Sequence, residues 1–354
     1  MLLIDGSYKE GGGQIIRTAL ALSVLTQKPF QAVNIRHKRP RPGLKHQHLA
    51  CIRALQKLAN ARAVGVHLGS EMIEFFPGRV RPGLLSLNIG TAGSITLLLQ
   101  SLMVPVIFAD GTVRLKITGG TDTKWSIPMD YFVNVILPVF EIFSSVKIQR
   151  LRRGYYPKGQ GFLELLITPR FNLQNTGNFA EFISLLRARV PSFSFTVRPA
   201  LSEIRGVSAA SQQLKRADVA RRQAQGAVQR IAGLFPITIE EQYEQTASIG
   251  TVITLWADFR DTTVRIGSDA LGEKGVRSEK IGEAAAVKLL DFLNSDAAVD
   301  PHLADNMIPL LALVGGSIKT TEITGHILSN IYVCEKFLDV RFSVDDEKNQ
   351  LTVN

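Results

Sequence analysis

One rhythm recurs three times along this 354-residue chain, and it constrains the fold more than any single motif. Each copy reads as a marked turn, an apolar helix, a strand, a loop, a second helix and two closing strands. In the first copy Glu10-Gly-Gly-Gly-Gln14 opens a helix running to Leu25. A strand over 30–36, a basic loop, a helix over 43–61 and strands near 65–67 and 72–76 follow. The second copy runs through Gly90–Ser94, a helix over 95–104, a strand over 113–117, Gly119-Gly120-Thr121-Asp122, a helix over 128–143 and strands over 147–151 and 161–167. The third opens at His302 and continues with a helix over 307–314, a strand over 318–323 and Thr324-Gly325-His326. A helix to Phe337 and strands over 340–343 and 350–353 complete it. Such a period signals duplication of one α/β unit that buries its apolar face only against its neighbours.

Residues 184–277 break the rhythm. They hold a basic, Gln-rich helix over 211–232 and a strand over 251–258, and they read as a small inserted α/β domain. The three-copy body then comprises 1–183 and 278–354. The uncharged stretch 84–109 is long enough to span a bilayer, but Asn88, Gly90, Gly93, Ser94, Gln100 and Pro105 interrupt it. A strand–turn–helix reading fits better, and no membrane partner is expected. Cys51 and Cys334 cannot build a disulfide framework, and the first residues do not read as a secretory leader, so the expected location is the cytoplasm.

The formal charge is +10, which favours polyanionic partners. Its densest source is Arg36-His-Lys-Arg39-Pro-Arg41-Pro-Gly43-Leu-Lys45-His-Gln47-His48, where two prolines stiffen a loop rich in phosphate donors. The glycines of 11–13 let backbone N–H groups approach an anion at a helix start, and Arg17 lies one turn on. Gly267–Gly275 resembles a Walker A loop only superficially, because Glu273 and Lys274 replace its Lys and Ser/Thr. His326 sits at a helix start, where the positive dipole end disfavours imidazolium and keeps a ring lone pair free for attack on phosphorus.

Taken in order, Glu10-Gly-Gly-Gly-Gln14-Ile-Ile-Arg17, the loop from Arg36 to His48, Gly119–Asp122, His302-Leu-Ala-Asp305-Asn306 and His326-Ile-Leu-Ser-Asn330 resemble the RNA 3′-terminal phosphate cyclase family over nearly the whole chain. The resemblance implies three repeats of a four-stranded sheet with two helices, plus a small inserted domain. It also implies ATP as substrate, a divalent ion (Mg²⁺ or Mn²⁺) and RNA 3′-phosphate ends converted to 2′,3′-cyclic phosphodiesters. His326 takes the nucleophile position, to carry AMP before its transfer to the RNA end. Gln100, His302, Leu303, Ala304, Asp305 and Asn306 fall on ATP-binding positions. Gln14, Arg17, Arg36, Arg39 and Gln47 fall on phosphate or RNA-end positions, and Glu10 on a metal-proximal one. His302 stands where relatives often carry Tyr, and Asn306 where Gln is common.

The family also has a non-catalytic branch of ribosome-assembly factors that lacks the histidine. A plain RNA-binding protein would explain the charge but not the glycine turns, and an enolpyruvyl-transferase-like enzyme would not need the histidine. Exposed strand edges would admit a homodimer.

Overall fold

The computed structural model describes residues 1–90 and 92–353. The first unit is β1 (Leu2–Asp5), α1 (Gln14–Thr26), β2 (Phe30–Val33), α2 (His46–Ala59), β3 (Arg62–Val64) and β4 (Ile73–Phe76). Its sheet has the order β1-β2-β4-β3, with β1 and β2 parallel and the other neighbours antiparallel. The second unit is β5 (Gly83–Asn88), α3 (Ile95–Val106), β6 (Val113–Gly119), α4 (Met129–Tyr131), a π turn at Phe132–Ile136, α5 (Leu137–Phe140), β7 (Ser144–Arg152) and β8 (Gly161–Pro169). Its order, β5-β6-β8-β7, repeats the first. The described residues of the uncharged stretch 84–109 thus hold β5 and α3, and no helix among the described residues is long and apolar enough to cross a membrane.

The third unit begins with α6 (Phe179–Arg189) and β9 (Phe193–Phe195). Then come β10 (Leu201–Ser211), α7 (Val219–Ile231), β11 (Ile237–Glu244), β12 (Thr251–Phe259), β13 (Ile266–Leu271) and α8 (Ser278–Asn294), which form a separate sheet, β11-β10-β12-β13, with two helices. The third unit resumes with α9 (Pro301–Val314), β14 (Gly316–Lys319), α10 (Gly325–Phe337), β15 (Phe342–Asp345) and β16 (Gln350–Val353), in the order β9-β14-β16-β15. The expected three four-stranded units with an inserted fourth sheet are therefore present.

The limits of the insert differ from those read in the sequence. β9 pairs in parallel with β14, so residues 193–195 belong to the third unit, and α8 packs on α7, β12 and β13 of the insert. The fourth sheet and its helices span 201–294, against the expected 184–277. Three-residue β9 is too short to carry a pattern, and α8 has the same apolar periodicity as a body helix. The expected helix over 211–232 breaks at Asp218, whose φ of 49° ends a 3₁₀ turn before α7 starts.

Helices from all three units pack together. α1 touches α2, α3 and α10, and α9 touches α3 and α10. All thirteen residues of α1 are buried, which makes it the axis of the body. In a surface helix one face would be polar; here the apolar run Ile15, Ile16, Ala19–Leu22, Val24 and Leu25 is enclosed on every side.

In the insert, α7 and α8 cross with their backbones in contact. A Cβ on Gly226 would lie 2.1 Å from the Glu279 carbonyl oxygen, and one on Gly282 would lie 1.9 Å from that of Gln223. Gly282→Ala must push the helices apart, and overpacking of this kind costs about 1–3 kcal/mol. Urea unfolding should show the insert losing that stability, whereas Ala substitution at Gly233, where φ is positive but nothing lies within 4 Å, should cost only backbone strain.

Candidate active site

The first turns of α1, α2, α3, α9 and α10 meet on one face of the body. Glu10 precedes α1 and lies against the start of α10, so close that a Cβ on Gly325 would sit 2.3 Å from Glu10 Oε1. Thr324 caps α10, its Oγ1 accepting from the Ile327 N–H at 3.2 Å, and this places His326 in the first turn. The imidazole Nε2 stands 3.5 Å from Glu10 Oε2, and Arg39 donates to the same oxygen at 3.0 Å. His326, Glu10 and Arg39 are each roughly 40% exposed, so the cluster opens to solvent and to a ligand. Gly12 lies beneath it, with Arg39 and His326 both within 4 Å of its Cβ position.

A buried network stands behind this cluster. Gln14 Nε2 donates to Asp305 Oδ1 at 2.5 Å, and Arg17 Nε donates to Gln100 Oε1 at 2.9 Å. Gln100 in turn donates to Asn306 Oδ1 at 3.3 Å, and Asn306 donates to the His302 carbonyl at 2.8 Å. Six of the residues assigned to nucleotide or to phosphate are therefore bonded in two sets, Gln14–Asp305 and Arg17–Gln100–Asn306–His302. Burial pushes the Asp305 carboxyl up, and His326, Gln14, His302 and Arg17 oppose that rise. Burial pulls the Arg17 guanidinium down, and Cys51 and Asp305 oppose it.

Not every expected residue faces the ligand space. Arg36 has φ 57° and donates to the carbonyls of Arg41 at 2.6 Å and Gly43 at 3.1 Å, so its guanidinium holds the basic loop in shape. Gln47 donates to the Ser94 carbonyl at 2.9 Å, tying α2 to the second unit. Leu303 and Ala304 are fully buried core side chains. His302 is exposed and lies edge-on to Tyr131, 5.9 Å between centroids.

Several polar residues complete the site without having been singled out. Asn330 donates to the Asp305 carbonyl and to its Oδ1, both at 2.8 Å, and accepts from Thr18 Oγ1 at 2.5 Å. Asp300 caps α9, which begins at Pro301, six residues before the expected helix start. It caps the helix by accepting from the N–H groups of His302 at 2.9 Å and Leu303 at 3.1 Å, and it accepts also from Tyr131 Oη at 2.5 Å and the Gly267 N–H at 2.9 Å. Asp300-Pro301 carries a helix-start signature that could have revealed it. Near it, the insert brings Asp269, whose carboxyl is raised by burial against the pull of Lys288 and His302.

Glu10 offers one hard oxygen donor. Among the described residues no group of three or more His, Cys, Asp or Glu is placed to hold a metal ion. The donor set suits a divalent ion arriving with substrate phosphates, a common mode for Mg²⁺, rather than one caged by protein alone.

His48 is buried beneath the glycine turn; a Cβ on Gly13 would lie 2.0 Å from its Nε2, so only glycine fits there. Its Nδ1 accepts from the Lys45 N–H at 2.9 Å, a role for neutral imidazole. Burial first, then Arg17, Arg36 and Lys45, lower its pKa to about 3. The unfolded chain takes up this proton near pH 6.5 while the fold excludes it, so stability falls as pH drops from about 6.5 toward 3, by up to about 1.4 kcal/mol per pH unit. In His48→Asn, which keeps an acceptor but does not titrate, the stability difference from the parent should shrink across that window. A difference independent of pH would contradict the burial of a neutral ring.

The chain is similar to known proteins over nearly its whole length. A family model described as RNA 3′-terminal phosphate cyclase matches residues 8–344. A Pyrococcus furiosus protein named RNA 3′-terminal phosphate cyclase is 42% identical over 346 residues, covering 97% of this chain and 95% of the relative. Proteins of the same name from Methanosarcina barkeri, at 40% over 358 residues (100% and 99% covered), and Methanopyrus kandleri, at 38% over 362 residues (99% and 97% covered), are similarly related.

Proposed function

This chain belongs to the RNA 3′-terminal phosphate cyclase family, and from that premise we propose that it converts an RNA 3′-phosphate into a 2′,3′-cyclic phosphodiester at the expense of ATP, with His326 as the carrier of AMP. The observation that carries this reading is the accessible imidazole of His326 on the first turn of α10, sharing the Glu10 carboxylate with the Arg39 guanidinium.

In the first step Nε2 of His326 attacks the α-phosphorus of ATP; a phosphorus–nitrogen bond forms and the bond to pyrophosphate breaks. To attack, Nε2 must be the unprotonated ring nitrogen, with the ring proton on Nδ1; the Glu10 carboxylate 3.5 Å from Nε2 stabilises the positive charge that develops on the ring, and Arg39 offsets phosphate charge. Because phosphoryl transfer is mainly a matter of positioning and electrostatics, the buried Arg17–Gln100 and Gln14–Asp305 pairs matter by fixing the donors that face the nucleotide. His302 and Asn306 suit the base end, the first by its exposed ring and the second by an amide. A divalent ion held by Glu10 and the phosphates would neutralise charge on the triphosphate.

The AMP then passes to an oxygen of the RNA 3′-phosphate, freeing His326. The neighbouring ribose 2′-oxygen attacks the activated phosphorus, its proton leaves, and AMP departs. The attacking hydroxyl is already held beside its target, so ring closure benefits from high effective molarity. DNA ends lack that hydroxyl and cannot close.

Incubation with α-labelled ATP and Mg²⁺ or Mn²⁺, followed by denaturation, should leave acid-labile, alkali-stable label on the protein and none on His326→Ala. Label persisting on the variant would remove His326 from this role. A 3′-phosphorylated strand with a 2′-deoxy end should yield no cyclic product, and finding one would contradict the final step.

A further inference from the structure

The turn between β6 and α4 carries Trp125, whose side chain stands 95% exposed. Indole is seldom left so fully in water, and φ at this residue is 69°, a region a bulky side chain rarely adopts. The turn is clasped rather than loose: the hydroxyls of Thr123 and Ser126 hydrogen-bond at 3.0 Å, and Ser126 Oγ donates to the Thr123 carbonyl at 3.0 Å. A second exposed ring, Tyr156 at 75%, stands on the adjacent β7–β8 connection. The two turns run side by side, since Asp122 pairs with Tyr155 and the Thr121 N–H donates to the Gly154 carbonyl at 2.9 Å.

Charge surrounds these rings. Lys124, Arg152 and Lys158 are exposed, and the only anion facing Lys124 within an ion-pair distance among the described residues is Glu273, at 3.5 Å and itself 61% exposed. Such a surface pair holds little energy and leaves the ammonium available. The insert closes the other side: Lys158 N–H donates to Ser248 Oγ at 3.0 Å, and Arg152, Arg153 and Gln160 share an open polar groove with Gln245 and Thr246. The turn is anchored to the helix starts of the body, because Gly120 pairs with Ser94, the cap of α3, whose carbonyl accepts from Gln47 of α2. Trp125 lies five residues past Gly120, within about 18 Å of it along the chain.

We propose that Trp125 and Tyr156, with Lys124, Arg152 and Lys158, form a stacking platform for the single-stranded RNA that leads into the active site. The inference rests on the cyclase reading for the direction of the strand, its 3′ end being at His326. Aromatic rings accept any base face, and cations track the backbone, so the platform adds affinity without imposing a sequence. A protein partner would call for a continuous apolar surface, and here exposed Lys124, Arg152, Lys158 and Gln160 share the two turns with the rings.

The test is fluorescence anisotropy with 5′-fluorescein, 3′-phosphorylated oligoribonucleotides of about four and about fifteen nucleotides on the full chain, the longer being enough to cover a site of several stacked bases. Trp125→Ala and Tyr156→Ala should each weaken the longer RNA by roughly 5- to 100-fold and leave the shorter unaffected. Trp125→Phe should restore most of the loss, and Lys158→Ala should reduce the salt dependence of binding, which the aromatic variants keep. Both rings are exposed, so unchanged thermal unfolding controls for folding. Unchanged affinity for the longer RNA overturns the platform and leaves the rings to a protein partner; equal weakening of both lengths also overturns it, by placing the rings in the end-binding pocket. Binding is read without turnover, so a failure of cyclisation with the length effect intact would count against the cyclase reading alone.

Discussion

The guanidinium of Arg17 lies inside the protein, on a helix none of whose thirteen residues is exposed. A charge in that position is tolerable only when paired and hydrogen-bonded, and the partners come from elsewhere in the chain: Gln100 from the second unit by a direct bond, and the Asp305 carboxylate of the third through its field. Asp305 is buried too, and its Oδ1 accepts from both Gln14 of the first unit and Asn330 of the third. Breaking such a set by removing one member leaves an uncompensated buried group, typically worth about 3–5 kcal/mol for an ionic pair. The polar half of the core and the wall of the candidate site therefore share these atoms. No single repeat could make this set, because Arg17–Gln100 joins the first unit to the second and Gln14–Asp305 joins the first to the third.

The insert is joined to that body by two further buried junctions. Arg153, on the β7–β8 connection, faces Asp130 at 2.8 Å, Asp122 at 3.4 Å and Glu244 of β11 at 3.3 Å. One cation among three carboxylates leaves an excess of negative charge. Burial first, with Asp122 and Glu244 adding to it against Arg153, raises the Asp130 carboxyl to about 6. Its contribution has the sign opposite to that of His48: stability is lost as pH rises from the ordinary carboxyl value toward 6. The second junction is Asp300, where a hydroxyl from α4, a main-chain N–H from β13 and the first N–H groups of α9 converge on one carboxylate. The insert thereby helps to set the axis of the helix that presents His302 and Asn306.

The repeat was readable because apolar periodicity survives duplication, and because the glycine turns before α1 and α3 and the Thr-Gly-His turn before α10 punctuate it. β9 was not readable, since three residues carry no period and their partner β14 lies more than a hundred residues on. For site residues the dividing line is side-chain direction. His326 and Glu10 sit on turns whose geometry follows from glycine and a cap, and the structure brings them together. Leu303 and Ala304 lie on α9, where the rotation of the helix decides what faces the ligand, and that rotation is set by packing on α3, α6 and α10. Arg36 belongs to a basic loop that reads as a phosphate clasp, yet its left-handed backbone turns the guanidinium onto the loop's own carbonyls. Asn330 was within a recognised motif, but its partners Thr18 and Asp305 are distant in sequence.

Three units of identical strand order deliver helix starts to one face, yet the starts are not equivalent. Ser94 caps α3, Asp300 caps α9 and Thr324 caps α10, each through its own side-chain oxygen. α1 differs from α3 and α9, the corresponding first helices of the other units: its N-cap is Gly13, with no side chain to offer. The first N–H groups of a helix seek an acceptor, and here none is supplied by a cap. An oxygen-rich anion approaching over Gly12 would meet those donors, the positive end of the most deeply buried helix, Arg39 and the ring of His326 together. Duplication repeats the helix dipole, and of the corresponding helices α1, α3 and α9 it is α1 whose dipole end is left without a side-chain cap.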